Sequence, residues 1–313
     1  MPDEASSGGC FAAPPPPQRR PGLGRSADQP DEPMNPADRI RIAVAQTDIT
    51  IDPAENGRAI HAAMRTAAGQ GARLVHCSEG SLSGYAGAAK AHFSGWHINW
   101  DLVTAELHRT MDLARELRLW VAVGGNHRLE HARKTACGSS TTRASWSTAT
   151  TKDTCPTPRS AACTRQGFSA CTFEVDGFRF GALLCVEVQF GELWVEQRDL
   201  GVDCVLFSTY SEDPIFEVIA RGYAAANTYW VSVAVPAPCS TVMASAVIGP
   251  HGQHLVQARA GQPDVLCIDL DRADPNLDIA LNKARPWRLR AASGDLYAPY
   301  RSSEPRSIDH TKT

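Results

Sequence analysis

A chain of 313 residues, 43% hydrophobic and 21% charged, is long enough for one large α/β domain or two smaller ones with a sizeable core. Its formal net charge of -3 excludes nucleic-acid or membrane-surface binding driven by overall charge, and no apolar run approaches the roughly 18 residues of a membrane span. Ten cysteines, none paired as CxxC, signal neither a zinc ribbon nor a thioredoxin-type site, and no metal is assigned.

Residues 1–38 contain four consecutive prolines and little that could form a core, so they are expected to be a disordered extension, with Met34 as a plausible true start. That stretch has no apolar centre of signal-peptide length, which makes a cytoplasmic location with reduced thiols the expectation. From Arg39 the punctuation changes to alternating strands and helices. RIRIAVAQ (39–46) alternates at period two and predicts a strand, and 53–71 has helical spacing ending on glycine. RLVHC (73–77) reads as a short buried strand, 99–118 as an amphipathic helix and LWVAVGG (119–125) as the next strand. In the second half, FEVDGFRFGALLC (173–185) predicts a hairpin about Asp176-Gly177 running into a buried strand. A helix from Gly191, a strand at 202–208, a helix at 217–228 and a strand at 229–235 follow. A second hairpin turning at Pro250-His251-Gly252 and a strand at 264–270 complete the pattern. Two similar halves, each with sheet and helices, predict a two-sheet sandwich covered by helices.

One window breaks the pattern. Residues 134–167 hold 14 Ser or Thr and no Val, Ile, Leu, Met, Phe or Tyr, so the composition predicts an irregular excursion there rather than packed strands.

Two residues stand where chemistry would place them. Cys185 ends an apolar strand at a strand-to-helix corner, where the following backbone N–H groups can lower a thiol pKa and hold an oxyanion. Buried cysteine is common in any core, so the position matters only in combination. Glu79, in LVHCSEGSLSGY, ends another strand and enters a glycine-bearing loop, a position from which a carboxylate can serve a thiol as general base. A solvated or capping glutamate explains that position equally well when taken alone.

RIRIAVAQ, LVHCSEGSLSGY and FGALLCVEVQFGEL resemble, in order and spacing, the three signature segments of the nitrilase superfamily of carbon–nitrogen hydrolases. ARPWRLRAASGDLY (284–297) is similar to the C-terminal arm of its amidase-like members. The resemblance covers residues 39–290 apart from the odd window, with 291–313 as the arm, and implies an α/β fold of four αββα layers with two mixed sheets. It also implies no cofactor, a small-molecule amide substrate, a homodimer or higher homo-oligomer, and hydrolysis of linear amide or carbamoyl C–N bonds by Glu, Lys and Cys. By position Glu79 is the base and Cys185 the nucleophile, while Lys152 stands at the distance of the family's lysine but in the unlike context TATTKDTCPTPR. Tyr85, Asn126, Val186, Ser208 and Thr209 are the substrate-contact candidates; Glu187 reads as a helix N-terminal charge, and Gly191 replaces the family's usual proline.

The genetic code offers an explanation for the odd window, the hypothesis of a shifted reading frame. A one-frame shift through Ser140–Thr148 permits His-Asp-Glu-Gly-Glu-Leu-Val-Asp, and the same offset further on permits a lysine, a glutamate and Thr-Pro-Gly. In that frame the lysine codon straddles Thr151 and Lys152, and the glutamate codon straddles Pro158 and Arg159. The competing reading is a pseudoenzyme that keeps the sandwich and a binding surface without turnover. A papain-like Cys/His hydrolase is disfavoured, since no histidine shares a strand-end motif with Cys185.

Overall fold

The alternation in RIRIAVAQ is realised as strand β1 (Arg39–Gln46), whose Ile40, Ile42 and Val44 face one core while Ala43 and Ala45 face another. A strand buried on both faces belongs inside a layered α/β protein. The computed structural model describes residues 38–85, 98–128, 133–140, 146–153 and 172–298, so the predicted extension, Asp38 apart, lies outside the described residues, as do the last residues of the predicted arm.

Helix α1 (Pro53–Gly69) is capped by Asp52, which accepts from the Ala54 N–H, and has proline at its start. Strand β2 (Leu74–Cys77), helix α2 (Trp100–Leu117) and strand β3 (Trp120–Arg128) follow, with Asn99 capping α2 and Arg118 ending it in the left-handed conformation. Next come β4 (Arg133–Ser140), β5 (Trp146–Asp153), β6 (Thr172–Val175) and β7 (Phe178–Leu184). The turn between β6 and β7 is Asp176-Gly177, both at positive φ, as a two-residue hairpin requires. Helix α3 (Gly191–Asp199), β8 (Cys204–Ser208), α4 (Ile215–Asn227), β9 (Trp230–Ala234), β10 (Ala246–Ile248), β11 (His254–Gln257), β12 (Asp264–Asp271) and α5 (Arg285–Ala292) complete the described chain.

The strands form two six-stranded mixed sheets, ordered β12-β1-β2-β3-β4-β5 and β11-β10-β9-β8-β7-β6. Each has three parallel strands at its centre, β1-β2-β3 and β7-β8-β9, flanked by antiparallel neighbours. Three apolar layers hold them together. Ile42, Leu74, Phe178, Phe180, Leu206 and Trp230 fill the space between the sheets. Ile60, Met64 and Leu113 pack the helices α1 and α2 on the first sheet, and Trp194, Ala220 and Ala224 pack α3 and α4 on the second. The result is the four-layer αββα sandwich. Each fully buried large apolar side chain contributes about 1.5–3 kcal/mol, and such side chains are found in all three layers. At its margin Asp203 accepts from the Arg179 backbone N–H at 3.0 Å and from Arg272 at 2.7 Å, with Arg285 at 3.3 Å, tying the β7–β8 edge to the C-terminal segment.

The odd window does not behave as its composition predicts. Residues 133–140 and 146–153 are strands, β4 pairing with β3 and β5 pairing with β4, with a register shift between Cys137 and Gly138. The ladder is made by backbone groups, which need no apolar side chains, and the open edge of β3 supplies the template. Threonine is also well suited to a pleated strand.

Candidate active site

Parallel strands deliver their C-terminal ends to one side of a sheet, the usual location of ligand sites in α/β proteins. Here Glu79 follows the end of β2, Asn126 lies near the C-terminal end of β3, Cys185 directly follows β7, and Ser208 ends β8 with Thr209 and Tyr210 just beyond it. Glu79 lies two residues past β2 and is 1% exposed. Its Oε2 accepts the Tyr210 backbone N–H at 3.2 Å, which links the end of the first sheet to the end of the second. Gly124 makes this approach possible. A Cβ there would lie 2.4 Å from Ser78 O and 2.8 Å from Glu79 Cα, so only glycine lets β3 pass so close beneath the carboxylate's backbone. Gly124→Ala should therefore lower turnover about 100-fold by displacing Glu79, with a stability loss of about 1–3 kcal/mol; steady-state kinetics and a thermal melt check both.

Cys185 closes β7 and opens a tight turn, Cys185–Gln189, of 3-10 type. Its φ is +48°, an unusual value for a residue with a side chain, which turns the chain sharply at the thiol. The turn is braced by Glu187, whose Oε2 accepts the Leu184 N–H at 2.7 Å. Glu187 is thus a buried brace of the Cys185 corner. Val186 is half-buried beside it. The glycine that replaces the family's proline also has a reason here: a Cβ at Gly191 would lie 2.5 Å from the Tyr223 hydroxyl.

Tyr85 brings the two halves together. Its ring stacks on Tyr210 at 4.2 Å between centroids, and its hydroxyl is held well above the usual tyrosine range by burial, then by the nearby Glu79 and Cys185. One tyrosine thus feels both the carboxylate and the thiol. Tyr210 is raised likewise by burial and by Cys239, and the buried Cys239 thiol is itself pushed up to about 11, chiefly by desolvation. Among the substrate candidates, Ser208 and Thr209 are fully buried, and Thr209 Oγ1 has no hydrogen-bond partner among the described residues. Asn126 donates from its backbone and side-chain nitrogens to Ser83 Oγ at 2.8 and 2.9 Å, fastening β3 to the Glu79 loop.

Lys152 is placed by its backbone. Asn126 pairs with Thr135 and Thr135 with Lys152, so the lysine shares a row with Asn126 two strands across, about 10 Å at ordinary strand spacing. Its strand β5 also approaches β7, which leads to Cys185. The Lys152 side chain lies outside the described residues. Sequence reasoning gave no role to His76 or Cys239. A histidine inside the apolar strand LVHC is a signal in itself, because a buried polar group must find partners. Cys239 carries no such mark, since its contact with Tyr210 spans distant segments.

No curated protein matches the chain in sequence. Among solved structures, the fold is similar to that of an alanine mutant of an amidase of the nitrilase superfamily from Nesterenkonia AN1, with 21% identity over 79% of this chain and 97% of that one and a TM-score of 0.62. A double mutant of the amidase from Nesterenkonia sp. AN1 in complex with acrylamide is 20% identical over 81% of this chain and 97% of that one, with a TM-score of 0.62. A further mutant, which carries the acetamide moiety of fluoroacetamide on its active-site cysteine, is 21% identical over 82% and 97%, with a TM-score of 0.63. The family model for carbon-nitrogen hydrolases matches residues 41–276, a span that includes most of β1, the Glu79 loop and the Cys185 corner. With the αββα sandwich and the convergence of the Glu79 loop and Cys185 corner about Tyr85, that match places the chain in the carbon–nitrogen hydrolase family.

Proposed function

We propose that the protein hydrolyses linear, non-peptide amide or carbamoyl C–N bonds through a Glu79-Lys152-Cys185 thiol mechanism. The observation that carries the reading is Tyr85, whose hydroxyl is influenced by both Glu79 and Cys185 and whose ring stacks on Tyr210, the residue whose N–H donates to Glu79 just past the Ser208-Thr209 end of β8. Glu79 takes the thiol proton, and the sulfur attacks the carbonyl carbon. The tetrahedral oxyanion is held by Lys152 and the backbone N–H groups that follow Cys185. The C–N bond breaks as Glu79 returns the proton to the leaving nitrogen, giving ammonia or an amine and a thioester. Water, deprotonated by Glu79, attacks the thioester carbon; the proton passes to sulfur and the acid leaves. Tyr85, Asn126, Val186 and Thr209 contact the substrate, and Ser208, its hydroxyl engaged with His76 and Cys77, supports them from behind. The enzyme acts in the cytoplasm as a homodimer or higher homo-oligomer.

The Nesterenkonia amidase structures support the choice of amides, since one is a complex with acrylamide and another carries an acetamide moiety on its active-site cysteine. A panel of short aliphatic amides, N-carbamoyl compounds and matched nitriles, followed by ammonia release, tests it. Amides or carbamoyl compounds should turn over faster than nitriles. A folded protein that turns over none of them is the pseudoenzyme reading instead.

The Ser/Thr-rich β4–β5 window favours attention to that second reading. If residues 137–166 carry a shifted frame, a chain with the frame restored gains apolar side chains on β5 and a lysine in a strand context. Its kcat/KM and soluble yield should each rise at least about tenfold, equivalent to about 1.4 kcal/mol in the barrier. Equal values for the two chains would discard the frame hypothesis and leave Lys152 as the working lysine.

A further inference from the structure

The layer between the two sheets is apolar, with Leu74, Leu206, Trp230 and Ala234 among its members, yet three polar side chains meet within it. His76 in β2, Ser208 in β8 and Ser232 in β9 are each fully buried. The imidazole Nδ1 lies 2.8 Å from Ser232 Oγ and its Nε2 lies 2.8 Å from Ser208 Oγ, while Ser208 Oγ donates to the Cys77 carbonyl at 3.2 Å. The protons can be followed. The single Ser208 hydroxyl proton goes to Cys77 O, so Ser208 Oγ accepts from Nε2–H, and Nδ1 accepts the Ser232 hydroxyl. This tautomer is neutral and uses each of these protons once, and burial pushes the imidazole down to about 3, so it stays neutral at physiological pH.

A polar network in a dry core is costly unless every member is satisfied, and an apolar residue at 76 would fill the layer without it. What the network does follows from where its members sit in the chain. Cys77 is two residues before Glu79, and Ser208 is two residues before Tyr210, whose N–H donates to Glu79. Covalent bonds and these two hydrogen bonds therefore close a ring through Glu79, Cys77, Ser208 and Tyr210. His76 braces that ring against β9.

We propose that His76 is a positioning residue which, through Ser208 and Ser232, pins the end of β2 to the end of β8 and so holds the Glu79 carboxylate in its working position. The proposal rests on the assignment of Glu79 and Cys185 above. The test compares the full chain with His76→Leu and His76→Gln, reading kcat and KM on an amide, the rate of iodoacetamide alkylation at Cys185 across pH, and the melting temperature. His76→Leu should lower kcat about 10- to 100-fold with KM within about threefold, and slow Cys185 alkylation at neutral pH about tenfold. His76→Gln, whose amide can still donate to Ser208, should recover most of both. A residue that only supports the fold would change the melting temperature and leave kcat and alkylation within about twofold, and that result overturns the proposal. Should His76→Leu fail to fold, Ser232→Ala decides: it removes the donor to Nδ1 with His76 in place, and an unchanged kcat and alkylation profile overturns the proposal. If the unmodified chain hydrolyses no amide, the proposed function fails, and the alkylation profile alone decides the role of His76.

Discussion

Cys185→Ala should abolish amide hydrolysis, with kcat reduced at least about 10⁴-fold, while the melting temperature falls by about 4 °C at most. The thiol stands at a corner set by backbone, with φ at +48° and the Leu184 N–H fastened to Glu187, and alanine disturbs neither. The side chain is 7% exposed, so deleting one sulfur costs about 1 kcal/mol of packing at most. Steady-state kinetics with circular dichroism melts separates the two effects. Cys77 and Cys204 give the control, since both are fully buried and burial holds the Cys204 thiol well above the ordinary range. Replacing either by alanine should leave turnover within about threefold while costing stability.

Glu79→Gln should lower kcat about 10³-fold with little change in structure. The reason is specific to the geometry. The amide oxygen of glutamine can still accept the Tyr210 N–H, so the hydrogen bond between the sheet ends survives while the capacity to take a proton is lost. A small drop in kcat together with a large drop in melting temperature would make Glu79 a tether rather than a base. Unequal losses in the two variants are informative as well. Glu79→Gln should remain alkylated at Cys185 by iodoacetamide, more slowly than the parent chain, whereas Cys185→Ala offers no thiol there.

Much of the molecule was legible from residues alone. RIRIAVAQ is strand β1 to the residue, because strict alternation between two apolar faces admits one pleated register. The Asp176-Gly177 turn was equally readable, as a two-residue loop at positive φ has few residue choices. The Glu79 and Cys185 corners were visible as abrupt ends of apolar runs. What was not legible depends on partners far along the chain. His76 gains meaning only beside Ser208 and Ser232, which lie 132 and 156 residues away. The strands β4 and β5 were missed for the opposite reason. Their pairing is dictated by the free edge of β3, a backbone property, while side-chain composition argued against any strand. Gly124 likewise reads as one half of a Gly-Gly pair, and its necessity shows only when the Glu79 backbone is seen above it.

The central claim is that Cys185 becomes covalently acylated during turnover, and rapid-quench mass spectrometry of the protein mixed with a hydrolysed amide tests it most directly. The prediction is one acyl increment on the peptide that carries Cys185, appearing no later than ammonia, persisting longer in Glu79→Gln and missing from Cys185→Ala. Ammonia release at an undiminished rate from Cys185→Ala, or an acyl increment on a different residue, would contradict the account.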